Sequence, residues 1–174
     1  PPLHPRHWLP SDLDPEARAS IVAWQQVSPT TTLHPPLALD VCDPTWPDTV
    51  TAWFHGQGDR QPPLMAVMAM NMIHISPWAA CQGLIAGAGA LLPTGGVLYL
   101  YGPFRQAGQP FAPSNEAFDQ SLRSRNPAWG IRDLEAVVDV AATHGFGLKT
   151  VIPMPANNLS VVLQRQPEVS PQEG

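Results

Sequence analysis

The sequence predicts an α/β sandwich built around a mainly parallel sheet. Three observations carry that reading. Short apolar runs, "LMAVMAM" (64–70) foremost, have no polar alternation and so read as strands covered on both faces. These runs alternate with segments of helical periodicity that open on capping residues. The chain then closes on "LKTVIPM" and "LSVVLQR", joined by the short "PANN", which makes them antiparallel neighbours in a hairpin.

Taken in order, "SDLDPEARASIVAW" starts the first helix. Asp14 can accept from free N–H groups, Pro15 suits the first helical position, and Glu16 meets the positive helix end. "PLALDV" (36–41) is a short apolar run ending in an acid, read as a buried strand. The stretch from Cys42 to Pro63 is turn-rich and reads as loop with at most a short helix. "LMAVMAM" is the next strand. "SPWAACQGLIAGAGALL" is a helix with Ser76 as cap and Pro77 at the first position, and Trp78, Cys81, Ile85 and Ala88 recur on one face. "PTGG" ends it, and "VLYLY" (97–101) is a strand. "GPFRQAGQPFAP" reads as loop, "SNEAFDQSLRSR" as a helix capped by Ser114, and "NPAWGIR" as a turn. "DLEAVVDVAATHG" carries Leu134, Val137, Val138 and Ala141 on one helical face and stops at Gly145. Residues 1–166 form one domain and 167–174 a disordered tail.

The totals narrow the partners. A length of 174 residues suits one domain, and 44% hydrophobic residues supply a core. Charged residues are only 13%, the formal net charge is −5, and no Lys/Arg stripe occurs, which excludes a nucleic-acid backbone as the main partner. The longest apolar runs fall short of the roughly 20 residues that span a bilayer, so no membrane partner is expected. "PPLHPRHWLP" lacks the apolar stretch of a signal peptide. Cys42 and Cys81 are too few and too far apart for a disulfide scaffold or a zinc site. They read as reduced core thiols of a cytoplasmic protein. "HPRH" (4–7) offers two histidines without further ligands, so no metal is expected. The chain has 22 prolines, and the short clusters among them, Pro1-Pro2, Pro35-Pro36 and Pro62-Pro63, read as loops between elements.

In open parallel sheets a ligand binds outside the carboxyl ends of the strands. The expected strands end at Asp40, at Asn71 with His74 three residues on, and at Tyr101-Gly102-Pro103. Polar or special residues thus gather on one sheet edge. Each also has a structural use: Asp40 can cap the turn in "VCDP", Asn71 can bond loop backbone, and His74 can be a satisfied core histidine. As a functional group, His74 can act as a general base, because imidazole titrates near pH 6.5. Gly102 allows close backbone approach to a ligand. "GQG" (56–58) and "GAG" (87–89) do not lie between a strand and a helix. No Gly-x-Gly-x-x-Gly follows a strand either, so a nucleotide-binding dehydrogenase ranks low. The absence of Gly-x-Ser-x-Gly counts against an α/β-hydrolase.

"HWLPSDLD", "LALDV", "NMIHISPW", "LYGPF", "SNEAFDQSLRSRNPAWGIRDLE" and "MPANN" together resemble the methyltransferase-like 26 family. The resemblance runs from about Trp8 to Arg165. It implies a Rossmann-like class I methyltransferase sandwich, S-adenosylmethionine as cofactor and a small-molecule acceptor. By position it implies Asp12 on the cofactor ribose, Asp40 near the adenine and Asn71 near the methyl donor. His74 and Asn71 become the catalytic candidates, and Tyr101, Asn115, Arg132, Asn157 and Asn158 candidates for the acceptor pocket. One departure stands out: the family's first strand, glycine-rich turn and first helix are missing from this sequence. The expectation is therefore a piece of a longer protein, with self-association through an incomplete sheet. The alternative to an enzyme is a non-catalytic methyltransferase-fold module for binding or assembly.

Overall fold

The computed structural model describes residues 7–56 and 63–167. His4, most of "GQG" and all but Pro167 of the expected tail lie outside the described residues. Helix α1 (Pro15–Val27) opens as its local signals dictate: the Glu16 N–H donates to Asp14 Oδ1 at 2.8 Å, with Pro15 in the first turn. It buries none of its residues, however. The run at 36–41 is not a strand. Only Leu37 makes an isolated bridge, to Ser11, and the chain turns at Asp40, whose carbonyl accepts the Asp43 N–H at 3.0 Å. Pro35 and Pro36 have no N–H to give a ladder, and the Asp40 carboxylate takes the Cys42 N–H at 2.9 Å to close an Asx turn.

Helix α2 (Trp46–Gly56) occupies ground expected to be mostly loop. Asp43 starts it by accepting from both the Thr45 N–H and hydroxyl. Trp46 and Val50 are its buried residues. Trp46 lies against helix α3 (Trp78–Leu91) at Gly87, where a Cβ would come within 2.2 Å of the indole ring. The small residue therefore admits Trp46, not the sheet as its place in a late helical turn suggests. Ser76 does not cap α3. Its hydroxyl donates back to the Met72 carbonyl, and Pro77 takes the capping position.

Strand β1 (Ala66–Met70) pairs in parallel with β2 (Val97–Gly102), Ala66 opposite Val97 and Met70 opposite Tyr101. Two residues later β3 (Phe104–Arg105) forms a small parallel pair with β4 (Arg132–Asp133), in stretches expected to be loop and turn. Helix α4 (Pro113–Arg125) lies between them in sequence. Its cap is Ala112, with Pro113 first, so Ser114 sits inside the first turn instead of capping it. Helix α5 (Leu134–Thr143) buries Leu134, Val137 and Ala141. The closing hairpin is β5 (Phe146–Met154) and β6 (Asn158–Arg165), joined through Pro155–Asn157.

The sheet order is β1-β2-β6-β5, and β6 runs antiparallel to both neighbours. One pairing of three is parallel, so the sheet is mixed and not mainly parallel. The second arm of the hairpin enters the sheet beside β2, which local pattern could not reveal. β1 is an edge strand among the described residues. Met68 (42% exposed) and Met70 (60%) face outward while Ala69 is buried, so β1 is not covered on both faces. One core cluster joins Leu98, Leu100, Val161 and Leu163 of the sheet to Cys81 and Ile85 of α3 and Val137 of α5. Each fully buried aliphatic side chain contributes about 1.5–3 kcal/mol. Cys81 is buried there, and burial pushes its thiol up to about 12. Cys42 is a free thiol too, but it is exposed and not a core residue. Among the described residues no helix is long and apolar enough to cross a membrane.

Candidate functional site

Because β1 and β2 are parallel, their carboxyl ends lie side by side. The chain leaves β1 at Asn71 in a left-handed conformation (φ 53°), which asparagine tolerates better than most residues. The Asn71 N–H donates to the Tyr101 carbonyl at 2.8 Å, which pins the two strand ends together. The turn that follows delivers His74 into the interior, 3% exposed. Its Nδ1 has no hydrogen-bond partner among the described residues. Gly102 makes this approach feasible: a Cβ there would lie 3.2 Å from both Nδ1 and Cε1 of His74 and 3.6 Å from Asn71 Oδ1. Its φ of 154° also favours glycine. Phe118 of α4 meets the imidazole edge-on, with ring centroids 5.7 Å apart.

Burial, and after it the positive charge of Arg132, hold the His74 imidazole down to about 4. The ring is therefore uncharged at neutral pH. Arg132 reaches from β4 beneath the 73–76 loop. Its Nε donates to the Ile73 carbonyl at 3.1 Å, and its Nη2 to the carbonyls of Ser76 and Ala128. The Gly130 N–H donates to the carbonyl of His74 itself at 3.0 Å. The planar fork of the guanidinium suits several carbonyls at once.

Helix α4 and the hairpin turn form the opposite wall. Asn115, 7% exposed, donates through Nδ2 to the Asn157 carbonyl at 3.0 Å. Asn157 Nδ2 in turn donates to Ser114 Oγ at 3.0 Å. Ala156 and Asn157 are both left-handed (φ 58° and 56°), an uncommon conformation for alanine that the surrounding bonds must hold. Asn158 Nδ2 closes the turn on the Pro155 carbonyl at 3.1 Å. Behind this wall, the buried Asp119 accepts from the Ile131 N–H (2.7 Å) and from Arg123 Nε (2.8 Å), tying α4 to the approach of β4.

Between the walls lies a cleft of about 640 Å³. Of the residues that sequence singled out, the structure gathers Asn71, His74, Asn115 and Asn158 around it. Asn157 holds Ser114 and Asn115 from behind, Tyr101 contributes its carbonyl to Asn71, and Arg132 braces the loop; none of these three lines the cleft. Asp12 and Asp40 are exposed and lie outside it. Asp12 Oδ1 accepts the Asp14 N–H, and Asp40 accepts from Cys42 as above. Pro103, named at the expected end of β2, lines the cleft as well, whereas sequence reasoning missed Phe118 and Ser114. A signal existed for both: Ser114, Asn115 and Phe118 stand at the spacing of one helix face.

The same fold occurs in solved structures described as O-methyltransferase family proteins. The structure is similar to LepI solved in complex with SAM, with a TM-score of 0.68 at 12% identity over 95% of this chain and 38% of that one. It is similar to an O-methyltransferase family protein from Burkholderia thailandensis (0.62, 13%, 88% and 41%). It also resembles an O-methyltransferase family 2 protein from Planctomyces limnophilus DSM 3776 solved with apigenin (0.62, 19%, 84% and 38%). At such identities the likeness is one of fold. The chain spans about two fifths of the length of these solved structures. By its sequence the chain belongs to the DUF938 family, described as proteins of unknown function, whose model matches residues 1–165.

Proposed function

We propose that this chain carries the acceptor side of an S-adenosylmethionine-dependent methyl transfer to a small molecule, with methyltransferase-like 26 as its nearer family and the cytoplasm as its setting. The observation that carries the reading is the buried, uncharged His74 beside Asn71 at the carboxyl ends of β1 and β2. It is supported by the fold shared with a protein solved with SAM.

S-adenosylmethionine supplies an electrophilic methyl group when bound. The acids implied for its ribose and adenine, Asp12 and Asp40, are exposed in Asx turns away from the cleft. The described residues thus fit the acceptor and not the cofactor's sugar and base. The outer edge of β1, unpaired among the described residues, is where a further strand can add to the sheet.

His74 keeps a free lone pair at neutral pH and accepts a hydrogen bond from the acceptor's O–H or N–H, orienting it. A base this weak removes the proton only as that atom grows more acidic on alkylation. Arg132 and Gly130 hold the imidazole in place through the loop carbonyls. Calorimetric titration with S-adenosylhomocysteine, run on this chain and on the longest natural protein that contains it, tests the reading. A companion assay follows labelled methyl transfer into a small-molecule pool. Saturable binding is expected, with turnover that His74→Ala lowers by about tenfold or more. No binding by the longest protein, or turnover untouched by His74→Ala, would sink it.

A further inference from the structure

The hairpin turn beside the cleft is not one that its residues would choose alone. A three-residue hairpin loop ordinarily carries one left-handed residue, most often glycine. The loop Pro155–Asn157 carries two, Ala156 (φ 58°) and Asn157 (φ 56°), and neither is glycine. Asparagine tolerates this conformation, whereas alanine brings no polar side chain that compensates for it. Within the turn, the Asn158 N–H and Nδ2 both donate to the Pro155 carbonyl. The side-chain grips from α4 both fall on Asn157 and both come from the first turn of that helix. Asn115 Nδ2 donates to the Asn157 carbonyl, and Asn157 Nδ2 donates to Ser114 Oγ, each at 3.0 Å.

Asn157 itself does not line the cleft, but its two neighbours in the chain, Ala156 and Asn158, do. α4 then carries the hold across to the opposite wall. One turn on from Asn115, Phe118 meets the His74 ring with centroids 5.7 Å apart. Asp119 accepts the Ile131 N–H at 2.7 Å, and the adjacent Gly130 N–H donates to the His74 carbonyl. An α-helix rises about 1.5 Å per residue, so Asn115 and Asp119 are set about 6 Å apart along one stiff element. The turn and the imidazole are thus spaced by α4 as well as by the sheet.

We infer that Asn157 is a positioning residue: through Ser114 and Asn115 it holds Ala156 and Asn158 at a set distance from His74, without itself touching what the cleft binds. The inference deepens the acceptor-side reading, on which it rests for its effect on rate but not for the geometry. A residue of this kind acts on orientation, where a displacement of about 1 Å costs on the order of a hundredfold in rate.

Asn157→Gly separates this role from a plain contribution to folding. Glycine keeps the carbonyl that Asn115 grips and is at ease in the left-handed region, but it releases Ser114. The urea midpoint should stay where it is, while the Ala156 methyl and Asn158 side-chain amide signals of the ligand-free chain broaden through exchange. In the methyl-transfer assay on the longest natural protein, turnover should fall about tenfold. The half-saturating dilution of the small-molecule pool should change by less than about twofold, and S-adenosylhomocysteine affinity should not change. Asn157→Asp should restore sharp signals and turnover, since the Ser114 hydroxyl can donate to a carboxylate, and adding Ser114→Ala should abolish that rescue. Three results would overturn the inference: wall signals in Asn157→Gly as sharp as in the natural protein, a loosened wall with full turnover, or a lower urea midpoint that Asn157→Asp does not rescue. If the longest natural protein binds no S-adenosylhomocysteine, the methyl-transfer reading falls, and the wall signals with their rescue still decide this one.

Discussion

Residues 7–40 and the 63–165 region are held together in different ways. In the first, α1 forms on local signals alone. It buries nothing and leaves Trp24 70% and Val27 73% exposed. What ties this region down is hydrogen bonding: the Trp8–Leu33 and Ser11–Leu37 bridges, Gln25 Nε2 donating to the His34 carbonyl at 2.6 Å, and a 2.9 Å contact between His7 Nδ1 and His34 Nε2. In the second, α3 buries six of its residues and α5 three, against four strands. A helix can thus be fixed by its cap without tertiary cover, but a cleft cannot. All four predicted residues that meet in the cleft belong to the packed region. Both acids assigned to the cofactor belong to the loose one.

The sharpest way to break this contrast is a matched pair of truncations. Leu163 of β6 is fully buried, opposite Leu98 and Leu148. Leu163→Ala should cost about 2–5 kcal/mol, the transfer term plus a cavity. Trp24→Ala removes a larger side chain yet should change stability by no more than about 0.5 kcal/mol, because so little of it is covered. Urea midpoints for both variants check this. A large loss at Trp24 would mean that α1 has cover in solution.

A smaller effect tests how the packed region holds its cleft. Arg132→Lys keeps the charge but cannot fork across the carbonyls of Ile73, Ser76 and Ala128. The expected cost is about 1–3 kcal/mol, since the part-buried carbonyls of Ile73 and Ser76 lose their donors. The His74 signal should move toward that of a hydrated imidazole. An unchanged urea midpoint together with an unchanged His74 signal would show that the loop holds itself.

How far these features were legible follows from their range in sequence. Asp14, Pro15 and Glu16 announce α1 because a helix start is local. The apolar face of α5 announces its burial for the same reason. The run at 36–41 misled because an apolar stretch becomes a strand only with a partner ladder, and Pro35-Pro36 deny it one. β1 misled in the other direction: its uniform apolarity does not distinguish a strand covered twice from an edge strand exposing Met68 and Met70. Asn71 and His74 were visible through the strand-end rule, which needs only the end of β1. Phe118 shares a helix face with Asn115, but that spacing alone does not separate a cleft residue from a core one. Arg132 was read as a pocket residue because its carbonyl partners at Ile73 and Ser76 lie 59 and 56 positions away. No local pattern shows that they occupy its fork.

The least effect on stability, and the most specific test of the cleft, comes from titrating His74. An ordinary histidine titrates at 6.5, and burial with Arg132 nearby brings His74 to about 4. Between those values the unfolded chain binds a proton at this residue and the folded chain does not. This site therefore adds stability that is fully present above 6.5 and declines as pH falls toward 4. His74→Gln has no such proton, so its urea midpoint should lack this component of the acid-side slope while the natural protein keeps it. In the natural protein the His74 ring signal should stay in its neutral position through pH 6.5. Any turnover should keep its His74-dependent limb near 4 as well. Titration of His74 at its ordinary value would mean that water reaches the ring past Phe118 and Gly102. The cleft would then become cationic in mild acid.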